Sequence, residues 1–170
     1  EDASHAVGGR YLDSKIGDCR YSDITIFSFH PVKIVTTAEG GIALTNNKCL
    51  QERMMLFRTH GITRDENLMH KVSDGGWYYE QIELGYNYRM TDLQAALGIS
   101  QMNRVDEFVS SRHKQAQRYD DKLKDLPIIL PFQADTCYSS FHLYVIRLNL
   151  DLIEKSHKQV FEELRSKDIG

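Results

Sequence analysis

The chain has 170 residues, 41% hydrophobic and 26% charged, a balance that supports a packed core and excludes a disordered polymer. Lys+Arg 21 against Asp+Glu 24 leaves a formal charge of −3, which provides no basic footprint for nucleic acid. No apolar run approaches the roughly 18 residues that span a membrane, and the length suits one domain or slightly more.

The opening residues EDASHAVGG lack the basic and apolar regions of a secretory leader. Cys19, Cys49 and Cys137 are odd in number and lie outside any CxxC. That fits a reducing cytoplasm and supplies neither a disulfide framework nor a thiolate zinc set. The start at Glu1-Asp2 and the end at Asp168-Ile169-Gly170 read as cuts from a longer chain.

In chain order, a first strand is expected over Tyr21 to Phe29, where Ile24, Ile26 and Phe29 accompany β-branched Thr25. A polar loop leads to a second strand, Ile42 to Thr45, ending on Asn46-Asn47, a turn or helix-cap signal. From Lys48 to Arg58 the apolar Leu50, Met54, Met55 and Phe57 recur at near-helical spacing, with Gly61 beyond the end. Residues 61 to 88 carry Gly75-Gly76, Trp77 and four tyrosines; this is a long irregular segment, functional or docked on a partner.

Thr91 or Asp92 caps a helix from Leu93 to about Asn103, with Leu93, Leu97 and Gln101 on one face. A second helix is expected from Val105 to Leu126. Its inward residues would be Val105, Phe108, Val109, Ala116, Tyr119 and Leu123, and Pro127 ends it. Phe141 to Leu148 reads as a buried strand, and Ile153 to Lys167 as a last amphipathic helix. This order is α/β, with a boundary between two lobes near residue 110.

The stretch Ser28-Phe29-His30-Pro31-Val32-Lys33 is the most informative for chemistry. A lysine just past a buried strand loses hydration, so a nucleophilic amine becomes attainable, and a hydroxyl five residues earlier can hold a phosphate. A solvated loop lysine fits the same residues. Asp2 and His5, three apart, suit a metal pair, an acid/base pair or a simple cap. Gly8-Gly9 and Gly40-Gly41 match neither GxGxxG nor a Walker loop.

Beyond single residues, four segments stand in order: Glu1-Asp2-Ala3-Ser4-His5, SDITIFSFHPVK, TTAEGG and LGYNYRMTDLQAALGISQMNRVDEFVSSR, with SSFHLYVIRL after them. Together they resemble the DegT/StrS family of sugar aminotransferases, pyridoxal 5'-phosphate (PLP) enzymes of the aspartate-aminotransferase fold. Within the family, the FSFHPVK form looks most like the transaminases of pseudaminic acid synthesis.

The resemblance implies roles residue by residue. Lys33 matches the Schiff-base lysine, Asp2 the carboxylate on the pyridine nitrogen, and His5 the residue against the ring and its 3-oxygen. Ser28 matches the hydroxyl on the cofactor phosphate, and Asn87 the asparagine sent across a homodimer to the neighbour's phosphate. It implies a two-stage transamination in which L-glutamate delivers the amine and the 4-keto group of a UDP-linked 6-deoxysugar receives it. It also implies that residues 1–110 end the PLP-binding large domain and residues 111–170 begin the small domain. The family's phosphate loop and ring-stacking aromatic would lie outside this chain, whose first residues, Asp2 among them, are then expected to fray. Two other readings stand beside this one: a PLP-dependent sugar dehydratase of the same fold, which Lys33 opposes, and a non-catalytic interaction or regulatory module.

Overall fold

Short antiparallel strands and four helices make up the chain, described over residues 1–170 by a computed structural model. Arg10–Tyr11 (β1) and Ser14–Lys15 (β2) form a small hairpin. Thr25–Ser28 (β3) pairs antiparallel with Gly41–Leu44 (β4), Thr25 opposite Leu44 and Ser28 opposite Gly41. Helix α1 (Lys48–Arg58) follows, then Ile62–Thr63 (β5) paired with Glu80–Gln81 (β6). Helices α2 (Asp92–Met102) and α3 (Val105–Leu123) come next. Ile128–Ile129 (β7) pairs with Arg147–Leu148 (β9), while Cys137–Tyr138 (β8) returns to pair with β1. Helix α4 (His157–Ser166) is the last element.

The core sits where the first residues, β3 and the loop after it meet: Ala3, Val7, Phe27, Phe29, Ile34 and Val35 are buried together. The first strand is shorter than expected and its inward set differs. Thr25, Phe27 and Phe29 face in, whereas Ile26 is 48% exposed, as alternation along a strand requires. Thr25 tolerates full burial because its hydroxyl donates to Glu1 Oε2 at 2.9 Å.

The expected fraying at Asp2 is not what the structure shows. The Glu1 nitrogen donates to Ile24 O (2.8 Å), Ile26 N to Glu1 O (3.0 Å) and Ala3 N to Ile26 O (2.9 Å). Residues 1–3 thus lie parallel to β3, with Asp2 bridged to Ile26. Ordinary ladder hydrogen bonds hold this end down.

The helices follow their local signals. Asn47 caps α1 by accepting from Cys49 N and Leu50 N, and Thr91 with Gln94 forms a capping box on α2. The inward face of α2 is not the leucine face: Leu93 is 86% exposed, while buried Gly98 packs on Thr37 and Gln101 accepts from Thr36 N at 2.9 Å. Helix α3 stops at Leu123 rather than Leu126, with Lys124 as its C-cap, and Pro127 bars any continuation through Leu126. It buries Val109 and Ala116, but Tyr119 is half exposed. Ser156 and Gln159 form the capping box that starts α4 at His157, four residues later than expected. Of the strand expected over Phe141 to Leu148, only β9 forms, because only Ile128–Ile129 is there to pair with it. Phe141 instead has φ +45 and is tied to α3.

Candidate active site

β3 delivers the chain to Ser28, whose Oγ accepts from His30 N at 3.3 Å and whose own hydrogen remains free for a ligand. After buried Phe29 the chain turns over His30–Lys33, closed by Lys33 N to His30 O at 2.9 Å. It then plunges back into the core at Ile34 and Val35. Thr37 N and Thr36 Oγ1 both donate to Phe29 O at 3.0 Å, and Phe29 N donates to Gly40 O, so the loop is braced on itself. Lys33 therefore projects from a fixed turn between two buried segments. It is partly buried and its amine makes no ion pair.

The parallel pairing of residues 1–3 with β3 sends Ser4 and His5 out at the same end of the sheet as Ser28. Asp2 Oδ1 accepts from Ser4 Oγ (2.6 Å) and Ser4 N (3.0 Å). These bonds, with smaller contributions from the charges of His5 and Lys33, hold its carboxyl below the usual 3.8. The charges of His5 and Lys33 thus both act on Asp2, and Ser28 lies at the same end of β3.

Asn87 is not among these residues. It lies opposite Thr59 in an antiparallel bridge, exposed, on a segment whose neighbours Tyr86 and Tyr88 stack at 4.9 Å.

One neighbour of His5 escaped the sequence reading. The ring of His142 lies 4.4 Å from that of His5, tilted by 56°. Its Nδ1 is buried without a hydrogen-bond partner. Burial, followed by the charges of His5, Lys33 and Arg112, lowers its pKa. The only signal in the sequence is a histidine inside the apolar run SSFHLYVIRL, with nothing local to connect it to His5.

The donor set fits PLP. An ionised carboxylate suits a protonated pyridine nitrogen, a lysine amine without an ion pair suits the aldehyde, and a hydroxyl with its hydrogen unspent suits the phosphate. The orphaned nitrogen of His142 leaves one further polar contact to be made.

Comparison with known proteins agrees with this chemistry. A family model described as the DegT/DnrJ/EryC1/StrS aminotransferase family matches residues 1–170. A relative named UDP-4-amino-4,6-dideoxy-N-acetyl-beta-L-altrosamine transaminase, from Campylobacter jejuni, is 37% identical over the whole chain. Helicobacter pylori PseC, an aminotransferase involved in the biosynthesis of pseudoaminic acid, superposes with a TM-score of 0.83 at 33% identity over 98% of the chain. The PLP form of a putative sugar aminotransferase, Spr1654 from Streptococcus pneumoniae, superposes with a TM-score of 0.79 at 30% identity, again over 98% of the chain. The chain spans less than half of each relative: 42% of the first two and 41% of the third.

Proposed function

Because the chain belongs to the DegT/DnrJ/EryC1/StrS aminotransferase family, we propose that it carries the lysine-bearing part of a PLP-dependent sugar aminotransferase. The reaction moves an amino group from L-glutamate to the 4-keto carbon of a UDP-linked 6-deoxysugar, in the branch that serves pseudaminic acid and related polysaccharide synthesis. The observation that carries this reading is the parallel pairing of Asp2 with β3, which brings Ser4 and His5 to the end of the strand that carries Ser28 and leads into the turn of Lys33.

When bound, PLP supplies an electron-accepting ring that stabilises negative charge at the amine-bearing carbon. Asp2, kept ionised by Ser4, holds the proton on the ring nitrogen. Lys33 anchors the cofactor. Its Nζ would take the proton from the amine-bearing carbon of L-glutamate and pass it to the cofactor carbon that bore the aldehyde; in the return half it would carry a proton from there to C4 of the sugar. Ser28 would hold the phosphate through its hydroxyl, and His5 would contact the ring and its 3-oxygen.

Residues 1–110 are the end of the PLP-binding large domain in this reading, and residues 111–170 the start of the small one. Asn87 reaches the phosphate of a second copy, making the enzyme a homodimer. Trp77, Tyr86 and Tyr88, all more than half exposed, are the aromatic residues that interfaces favour. Three free cysteines suit a cytoplasmic enzyme.

Borohydride reduction of the PLP-loaded protein, followed by peptide mapping, tests the assignment. A pyridoxyl label on Lys33 is the expected result; label on another lysine, or on none, overturns it.

A further inference from the structure

We propose that Arg112 is a positioning residue of this site: it fastens the main chain at Phe141 and His142 so that the His142 imidazole lies against His5 and keeps Nδ1 for the ligand held at Lys33. The identity of that ligand, PLP, rests on the functional reading above; the geometry does not.

Arg112 projects from α3, and its Nη1 donates to Phe141 O at 3.0 Å and to His142 O at 3.2 Å. Phe141 sits at φ +45, a left-handed conformation that a bulky residue adopts only when its surroundings enforce it. One guanidinium nitrogen donating to two successive carbonyls is such an enforcement. His113, the next residue on α3, contacts Ser139 O at 2.7 Å and stacks on Tyr138 at 4.1 Å, so the segment leading into His142 is held at Tyr138 and Ser139 as well.

The grip fixes an otherwise unpaired ring. The His142 Nδ1 is buried with no protein partner, which a folded chain tolerates chiefly where a ligand or water completes it. Burial, then the charges of His5, Lys33 and Arg112, lower the pKa of the ring, which favours the neutral form with one donor and one acceptor nitrogen. Lys33, His5 and Arg112 around it favour an oxygen-rich, anionic ligand. The position of this ring is imposed from α3, far along the chain from Lys33.

The test reads imidazole signals of histidine-labelled protein at one pH, first without PLP. Arg112→Met keeps the aliphatic stem and removes the donors. It should abolish the mutual ring-current displacement of His5 and His142, while Arg112→Lys, with a donor restored, should recover part of it. Unchanged displacement in Arg112→Met overturns the proposal. If that variant unfolds, His142→Phe decides: the stack on His5 is kept, yet PLP affinity should fall about tenfold for one lost hydrogen bond. Wild-type affinity there overturns the ligand contact. PLP added to the unsubstituted protein should move the signals of both His5 and His142. Movement of His5 alone defeats this inference and leaves the functional reading standing. Failure of PLP to bind at all defeats the functional reading and the ligand contact, while the ligand-free spectra still judge the role of Arg112.

Discussion

Gly85 packs directly on the backbone of Gly61. A Cβ on Gly85 would run into the Gly61 nitrogen, and one on Gly61 into the carbonyl of Glu83. Gly61 also needs its left-handed φ of +67. This close approach lets the chain continue in register: Tyr86 N donates to Phe57 O (2.7 Å), His60 N to Tyr86 O (2.8 Å) and Tyr88 N to Arg58 O (3.0 Å). Asn87 is placed by that register.

Gly85→Ala should therefore destabilise the fold by about 2 kcal/mol, the scale of a forced backbone shift, and lower Tm by roughly 4–8 °C. Gly76→Ala is the matched control, since a Cβ there meets nothing within 4 Å. Equal melting temperatures for the two variants would contradict the packing described.

In the full-length enzyme, Asp2→Asn should leave PLP bound but cut transamination by several orders of magnitude, because an unprotonated pyridine is a poor electron sink. Steady-state assay with L-glutamate measures it. A loss of less than about tenfold, worth only 1.4 kcal/mol, would remove Asp2 from the mechanism.

The ionisation of Asp2 is set mainly by Ser4, so Ser4→Ala should raise the Asp2 pKa back toward 3.8. A depressed carboxyl pKa means that the folded state holds its proton less tightly than the unfolded chain. Its stabilising contribution is accordingly present above 3.8 and is lost as pH falls through the lower folded value. Carbon-13 titration of the Asp2 carboxyl in both proteins checks the sign; a midpoint unmoved by Ser4→Ala would assign the shift to some other cause.

Asn87→Ala should weaken PLP binding by about tenfold, as loss of one hydrogen bond to a charged phosphate predicts, without lowering Tm. Its side chain is exposed, and the ladder around it uses backbone groups only. The same protein is expected to sediment as a dimer when loaded. A monomer that holds PLP firmly, or unaltered PLP affinity in the variant, would refute the role across subunits.

Much of the local structure was legible in the chain. Helix α1 occupies the range that its periodicity and Asn47 mark out, and Thr91 starts α2, because caps and helical faces are written within a few residues. Ser28, the turn and Lys33 are likewise a local unit whose chemistry follows from a strand end. The two-residue strands β1, β2, β5, β6, β7 and β8 carry too few residues for any alternating pattern, and so they went unread.

What the sequence determined by itself was the α/β order, the helix caps and the lysine on its turn. The tertiary structure decided which face of β3 is buried, that Asp2 lies parallel to it beside the lysine turn, and that His142 returns to stack on His5. Each of these joins residues far apart in the chain, through ladder bonds to Ile24 and Ile26 or through Arg112 on the carbonyls of Phe141 and His142. Contacts of that kind depend on chain closure and on which partner surface is available, and no short window of sequence encodes either.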